Sequence, residues 1–577
     1  MAFRRLILPF LLGLVLVVPG DARFEPGGWD AHAGLHASTP ATGGGMLRDG
    51  HPVEEAGVLR VPVTPENLFA EVTERARALA QRPWSPPPAS VPRPLAEMDY
   101  DAFRSIRFRP DAALWRGEAP FEVQFFHPGF LYPEPVRVNE VTSDAVLPVP
   151  FEERLFQYDG PAASLAGVAG PELGFAGFRV HYPINDPSTK DEVVVFLGAS
   201  YFRLLGQGHA HGLSSRGVAV NTVHEPGEEF PDFREFWLVR PSADDATLTV
   251  YALLDGPSLT GAYRFDLTPG APTVMEVDAR LFARGDVGRL GIAPLTSMFL
   301  YGPDGARRFD DFRPRVHDSD GLLMLTGSGE WIWRPLSNGP GLRVTSLRDR
   351  APQGFGLAQR ARDFSQYLDL EARYHDRPSQ WVEVGEGDWG EGGVELVEIP
   401  TTSEFNDNIV AYWVSDTPFH AGDERRFRYR LLTFDGRLER QRLLQVERSR
   451  SGWDALPGEA DPPPRSQRRF VIDFVSDGPS DGPSDGPGDM DDGESGWRAD
   501  PVVQGGAPVE AVLESSSGRV SDLRVQPLPG GGGWRATFRL EPEEGRSADM
   551  RLFLVQEDEQ VSETWSYLWI PEPGTGP

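Results

Sequence analysis

The sequence predicts an all-β protein, a large antiparallel β-sandwich followed by a smaller immunoglobulin-like one. Three observations carry this. From about residue 90 to about residue 300, apolar and polar residues alternate with period two between Gly and Pro, as in Phe121-Glu-Val-Gln-Phe125, Leu248-Thr-Val-Tyr-Ala-Leu253 and Ala262-Tyr-Arg-Phe-Asp-Leu267. Helical periodicity is scarce, so the strands must stack as sheets on sheets. Towards the C-terminus, short strand-like runs with turns between them, Trp534-Arg-Ala-Thr-Phe-Arg-Leu540, Met550-Arg-Leu-Phe-Leu-Val555 and Thr564-Trp-Ser-Tyr-Leu-Trp-Ile570, fit an immunoglobulin-like module.

Taken in order, Arg4-Arg5 followed by the apolar run Leu6 to Val18 reads as the charged and hydrophobic parts of an export signal. Gly20-Asp21-Ala22 places small residues at both recognition positions of a cleavage site near Ala22. The run is shorter than the roughly 20 residues of a spanning helix. Residues 1–22 are therefore a signal peptide, with the Arg pair leaving a twin-arginine route open. Residues 23–58, rich in Gly, Ala and His, read as a flexible leader. Thr64-Pro65 opens a helix with Leu68, Val72, Ala76 and Leu79 on one face, and Pro83 with Ser85-Pro86-Pro87-Pro88 ends it. The large domain spans 59–440 and the second one 441–577. Phe470 to Val475 is a strand of the latter. It leads into Ser-Asp-Gly-Pro repeats, and 476–495 reads as a disordered insertion.

Composition narrows the function. Net charge is −30, and the basic residues are Arg apart from Lys190, so nucleic acid and anionic lipid are disfavoured partners. Forty per cent hydrophobic residues, with 34 Phe and 14 Trp, exclude disorder for most of the length. With no cysteine, disulfides, zinc-thiolate sites and a cysteine nucleophile are excluded.

Glu395 to Trp413 holds the most suggestive pattern. An alternating run stops at Pro400 and resumes at Ile409, with Glu404 and Asp407 in the polar loop between. On pattern alone, Asn406-Asp407-Asn408 reads first as a turn. Asp318-Ser-Asp320-Gly321 imitates part of a calcium loop, but Leu322 and Gly329 stand where further ligands belong, which rejects calcium. His209-Ala-His211 shares a strand face without a third ligand in register, so no metal is assigned and no cofactor is required.

From about residue 95 to 440 the chain resembles the periplasmic glucan biosynthesis G/D family, also called MdoG/OpgG-type. The matching strings are Leu173-Gly-Phe-Ala-Gly-Phe-Arg179, Phe196-Leu-Gly-Ala-Ser-Tyr-Phe-Arg203, Gly227-Glu-Glu-Phe-Pro231, Phe236-Trp237, Gly291-Ile-Ala-Pro-Leu-Thr-Ser-Met298, His317-Asp-Ser-Asp-Gly321, Gly329-Glu-Trp-Ile-Trp-Arg-Pro-Leu336, Arg377-Pro-Ser379 and Asn406-Asp-Asn-Ile-Val410, with Ser562-Glu-Thr-Trp-Ser-Tyr567 near the end. The resemblance implies a galactose-mutarotase-like β-sandwich before the immunoglobulin-like domain. It implies a periplasmic location and a part in making osmoregulated glucans with a β-1,2-linked backbone. Some members are inverting hydrolases or related transglycosylases. Their motif positions make Asp407 the general acid and Asp318 the general base, with protons relayed through a substrate hydroxyl and water. Inverting catalysis needs two separated carboxylates, one to protonate the leaving oxygen and one to activate water.

The resemblance also puts Tyr374 and Glu404 beside the acid. Trp331, Trp333, Trp381 and Trp389 become candidates to stack on glucose rings, and Arg216, Arg334 and Arg377 to fork onto hydroxyls. For any single aromatic, a place in the core is the simpler alternative. Trp331 and Trp333 alternate in one strand and face the same way. The chain departs from the family at Ala361, where many relatives have Asp, at His211, a Tyr elsewhere, and at Ser403, acidic elsewhere. The last two bear on glucan preference and rate. The expected ligand is β-1,2-glucan, a membrane glucan synthase is a candidate partner, and a homodimer is left open. A non-catalytic glucan-binding scaffold is the alternative function. An aldose epimerase would need a His acid and a Glu base at a spacing the chain lacks.

Overall fold

The computed structural model describes residues 65–571, apart from 89, 172, 304–308, 439–440, 456–457, 459, 477–506 and 530–531. The signal peptide, the leader and nearly all of the 476–495 insertion lie outside the described residues. The helix expected after Thr64 spans Pro65–Ala80. Its predicted face is buried at Leu68, Val72 and Ala76, and it packs on Trp237, Tyr251 and Phe282 across the outside of a sheet. Phe69 stacks on Tyr251 with ring centres 5.9 Å apart.

Two large sheets form the main sandwich. The ten-stranded sheet runs from Glu122–Phe126 through Gly177–Asp186, Thr189–Leu197, Tyr201–Leu204, Ser214–Arg216, Leu290–Ser297, Ile409–Ser415 and Glu391–Glu398 to Arg343–Arg350. Opposite it lies a fifteen-stranded sheet that includes Asp232–Val239, Leu248–Asp255, Leu259–Thr268, Val274–Ala283, Glu424–Phe434 and Ser379–Gly387. Alternation directs one side of each strand into the shared core. Phe196 stacks on Phe178 and Phe202 of its own sheet, with centres 5.1 and 5.3 Å away, and meets Phe236 and Phe265 of the other at 5.4 and 5.3 Å.

The fifteen-stranded sheet does not stop at position 440. Trp331–Pro335 pairs in parallel with Thr564–Trp569, in the register Ile332 to Thr564 and Trp333 to Trp565. Ala548–Gln556 and Glu510–Ser515 extend it further. A separate four-stranded sheet, which includes Arg468–Val475 and Gly533–Glu541, packs on that extension through Phe470, Phe538 and Trp565. At the junction Glu563 is fully buried. It accepts from the Arg360 guanidinium (Nη1 to Oε2, 2.9 Å), the Val446 amide (2.9 Å) and Gln441.

Candidate active site

Asp318 and Asp407 come from distant parts of the chain but are hung from one short segment. Asp318 donates its amide to the Met298 carbonyl (2.8 Å). Next to Asp407, Asn408 brackets the adjoining residue: its Oδ1 accepts from the Phe299 amide (2.8 Å) and its Nδ2 donates to the Phe299 carbonyl (3.1 Å) and to Ile399 (3.0 Å). Asn338 holds the same loop from behind, donating to Thr401 (2.8 Å) and Leu300 (2.9 Å). The loop between Glu391–Glu398 and Ile409–Ser415 is thus fixed by buried amides, the arrangement that places side chains accurately.

The two acids differ in surroundings. Asp318 is 3% exposed and its carboxylate is ion-paired with Arg377, itself 3% exposed. Burial pushes the Asp318 carboxyl above the ordinary aspartate value, Arg377 opposes the rise, and the negative charge of Asp407 adds to it. Asp407 is half-buried and has no hydrogen-bond or ion-pair partner among the described residues. His317, beside Asp318, is buried and pushed down to about 3, so it stays neutral at ordinary pH. It donates from Nδ1 to Gln359 Oε1 (2.7 Å).

Arg377 also donates to the Ala372 carbonyl (3.0 and 3.1 Å) and lies 4.1 Å over the Tyr374 ring. The Tyr374 hydroxyl donates to Glu404 (2.6 Å). Glu404 accepts further from Arg313 (2.8 and 3.2 Å), which reaches Asp369 (2.9 Å) and Asp311 (2.7 Å) as well. On the other flank Arg216 is buried, donates to Thr296 (3.1 Å) and Glu228 (2.8 Å), and senses the charge of Asp407. The fold therefore gathers Asp318, Asp407, Tyr374, Glu404, Arg216 and Arg377 into one region. Glu228 and Asn408, which lie inside matching strings without having been singled out, belong to it too, and so do Arg313 and Asp369, which no motif announces.

Five expected sugar contacts lie elsewhere, Trp381 among them. Trp331 and Trp333 face the C-terminal half of the molecule and join its core, 7% and 4% exposed. Trp331 packs on Trp381 at 5.5 Å, and Arg360 sits 3.6 Å over Trp333. Gly321 is small because a Cβ there would run into the Trp333 ring. Arg334 donates to Ser566 (3.0 Å) and Thr345 (3.3 Å) in that same junction. Trp389 packs edge-on against Phe427 (5.3 Å) at the far end of the strand Glu391–Glu398 from the Asp407 loop. Their period-two alternation is real, but the side it presents is covered by strands from the end of the chain. We expect Trp333→Ala to cost about 3–5 kcal/mol of stability, as for large core aromatics, without a selective loss of glucan affinity. Chemical denaturation alongside a glucan-binding titration checks this. The two histidines of His209-Ala-His211 go to different carboxylates, Asp435 (2.8 Å) and Glu192 (2.6 Å).

Asp320 is built into the chain rather than into the site. Its carboxylate accepts from the Arg360 amide (3.2 and 3.3 Å) and the Ala361 amide (3.4 Å). All these residues fall within a match to the family model described as "Periplasmic glucan biosynthesis protein, MdoG", which covers residues 68–569. The chain belongs to this family. Among MdoG relatives, a protein named "Glucans biosynthesis protein G" from Ralstonia nicotianae is 45% identical over 507 residues, covering 87% of this chain and 95% of its own. Proteins of the same name from Bradyrhizobium diazoefficiens and Vibrio cholerae are 42% and 41% identical, covering 87% and 86% of this chain and 93% and 86% of their own. No helix among the described residues of this MdoG-family chain is long and apolar enough to cross a membrane.

Proposed function

We propose that this member of the MdoG family cleaves or transfers β-1,2-linked glucan in periplasmic glucan biosynthesis. The observation that carries the reading is that Asp318 is anchored through its amide to Met298 while Asn408, the neighbour of Asp407, is anchored to Phe299, which brings two carboxylates of unlike environment into one region. Asp407, without a protein partner, delivers its proton through a substrate hydroxyl to the glycosidic oxygen as the bond from C1 breaks. Water attacks C1, and its proton passes, through a second water, to Asp318. Arg377 keeps Asp318 able to ionise despite its burial. In transfer, a glucan hydroxyl replaces the water. Incubation with linear β-1,2-glucan followed by mass analysis of products tests this: shortened or redistributed chains are expected, and an unchanged length distribution would refute it.

One observation favours a glucan-binding scaffold as second reading. The base is closed into a buried ion pair, which by itself suits architecture as well as catalysis. Binding of β-1,2-glucan with no change in chain length is the result that reading expects.

The same proposal places the protein outside the cytoplasmic membrane. Intact mass of the protein exported by its host should lack roughly the first twenty residues, as an export signal requires. Retention of Met1 in the exported chain would contradict the cleavage.

A further inference from the structure

The arginines nominated by motif are all engaged by protein: Arg216 by Glu228 and Thr296, Arg334 by Ser566, Arg377 by Asp318 and Ala372. A group already satisfied gains little by turning to a ligand. The informative groups are polar ones near the acids that remain unsatisfied.

The strand Tyr201–Leu204 supplies two of them. Phe202 and Leu204 point into the core, each 1% exposed, so Tyr201 and Arg203 share the opposite face. The Tyr201 hydroxyl is buried without a well-aligned hydrogen bond, the Arg216 guanidinium lying beside it. Arg203 is half-buried, and its guanidinium makes no hydrogen bond or ion pair among the described residues. A buried hydroxyl left unpaired is costly, and such groups in native proteins call for an explanation.

Their position supplies one. Tyr201 stands opposite Arg216 in the sheet, and the Arg216 guanidinium lies 4.5 Å over its ring. Arg216 is tied to Thr296, which pairs with Val410, three residues beyond Asp407. Tyr201 therefore stands on the Asp407 side and senses that charge. Arg203 acts on the other acid, its positive charge favouring the ionised form of Asp318. Arg377, the partner of Asp318, backs directly onto Gly212, where a Cβ would meet the Arg377 Cβ at 3.0 Å. Two strand positions span about 6.5–7 Å. That step is comparable with the separation over which an inverting pair straddles its water and sugar, roughly 6.5–9.5 Å.

We infer that Tyr201 and Arg203 form the bed for the glucose unit held between Asp318 and Asp407, hydrogen-bonding its hydroxyl oxygens. The inference rests on the proposed glucan activity. It makes these two residues substrate contacts, with Arg203 the stronger because its donor is charged.

The test uses full-length chain carrying Asp407→Asn, so that the ligand survives, with binding of linear β-1,2-glucan measured by calorimetry. Adding Arg203→Gln should weaken binding at least about tenfold, and Tyr201→Phe severalfold, as loss of charged and neutral hydrogen bonds implies. Arg203→Lys should fall between parent and Arg203→Gln. Melting temperatures should stay near the parent value, because the Arg203 guanidinium has no protein partner to lose and the Tyr201 hydroxyl no well-aligned one. A parent that binds while its variants bind equally well would overturn this inference alone. So would affinity lost only together with a fall in melting temperature. A parent that binds no β-1,2-glucan would sink the glucan reading, and this inference with it.

Discussion

Asp407→Asn is expected to lower turnover of β-1,2-glucan by at least ~100-fold, the lower range of what a positioned general acid supplies. Asn has the same shape but no transferable proton. Folding should be unaffected, because the Asp407 carboxylate has no hydrogen bond or ion pair to lose among the described residues, and the loop is held by Asn338 and Asn408 instead. Affinity for glucan should be largely retained. Product analysis, a binding titration and a thermal melt on the same preparation check all three. Full activity would remove Asp407 from the mechanism, and a collapsed melt would mean that the residue is structural.

Asp318→Asn and Asp320→Asn should part company. The first is expected to reduce turnover by about 100-fold or more, because an amide cannot take a proton from water. The second should stay close to wild type, since an Asn oxygen can accept from the Arg360 and Ala361 amides as the Asp320 carboxylate does. The acidic limb of kcat/KM should report the base. Burial raises Asp318, so that limb should lie above the ordinary aspartate value of about 3.9. The sign matters for stability too. A carboxyl raised by folding contributes stability below its unfolded pKa, and this is lost as pH rises through the folded value. At neutral pH the ionised Asp318 is compensated by Arg377, and Asp318→Asn leaves that buried guanidinium without its counter-charge, so this variant should melt below the parent. A dead Asp320→Asn with an active Asp318→Asn would transfer the role to Asp320. Activity in both would point to Glu404.

The loop bearing Asp407 was legible because its signals are local. Pro400 stops one strand, Ile409 starts the next, and the strands Glu391–Glu398 and Ile409–Ser415 lie on either side. The helix Pro65–Ala80 was legible for the same reason, through its single apolar face. Trp331 and Trp333 were not. Alternation shows that two side chains share a face, but not whether that face meets sugar, solvent or another strand. Here the answer came from Arg468–Val475 and Gly533–Glu541, far along the chain, whose apolar residues share one core with both tryptophans. Arg203 and Tyr201 stand inside the string Phe196-Leu-Gly-Ala-Ser-Tyr-Phe-Arg203, which carries resemblance but names no role for either. What singles them out is the partners they lack, and no sequence pattern encodes that.

The parallel pairing of Trp331–Pro335 with Thr564–Trp569 carries a cost in time. Arg334 and its partner Ser566 are 232 positions apart, so the junction is a contact of high order, slow to form and late to emerge. Until the last strand arrives, Trp331 and Trp333 stand on an uncovered sheet edge, the kind of surface that recruits other chains. A chain that loses its final strand through nicking or premature termination would keep both carboxylates and still be prone to aggregate. Its solubility, rather than its chemistry, depends on the final strand.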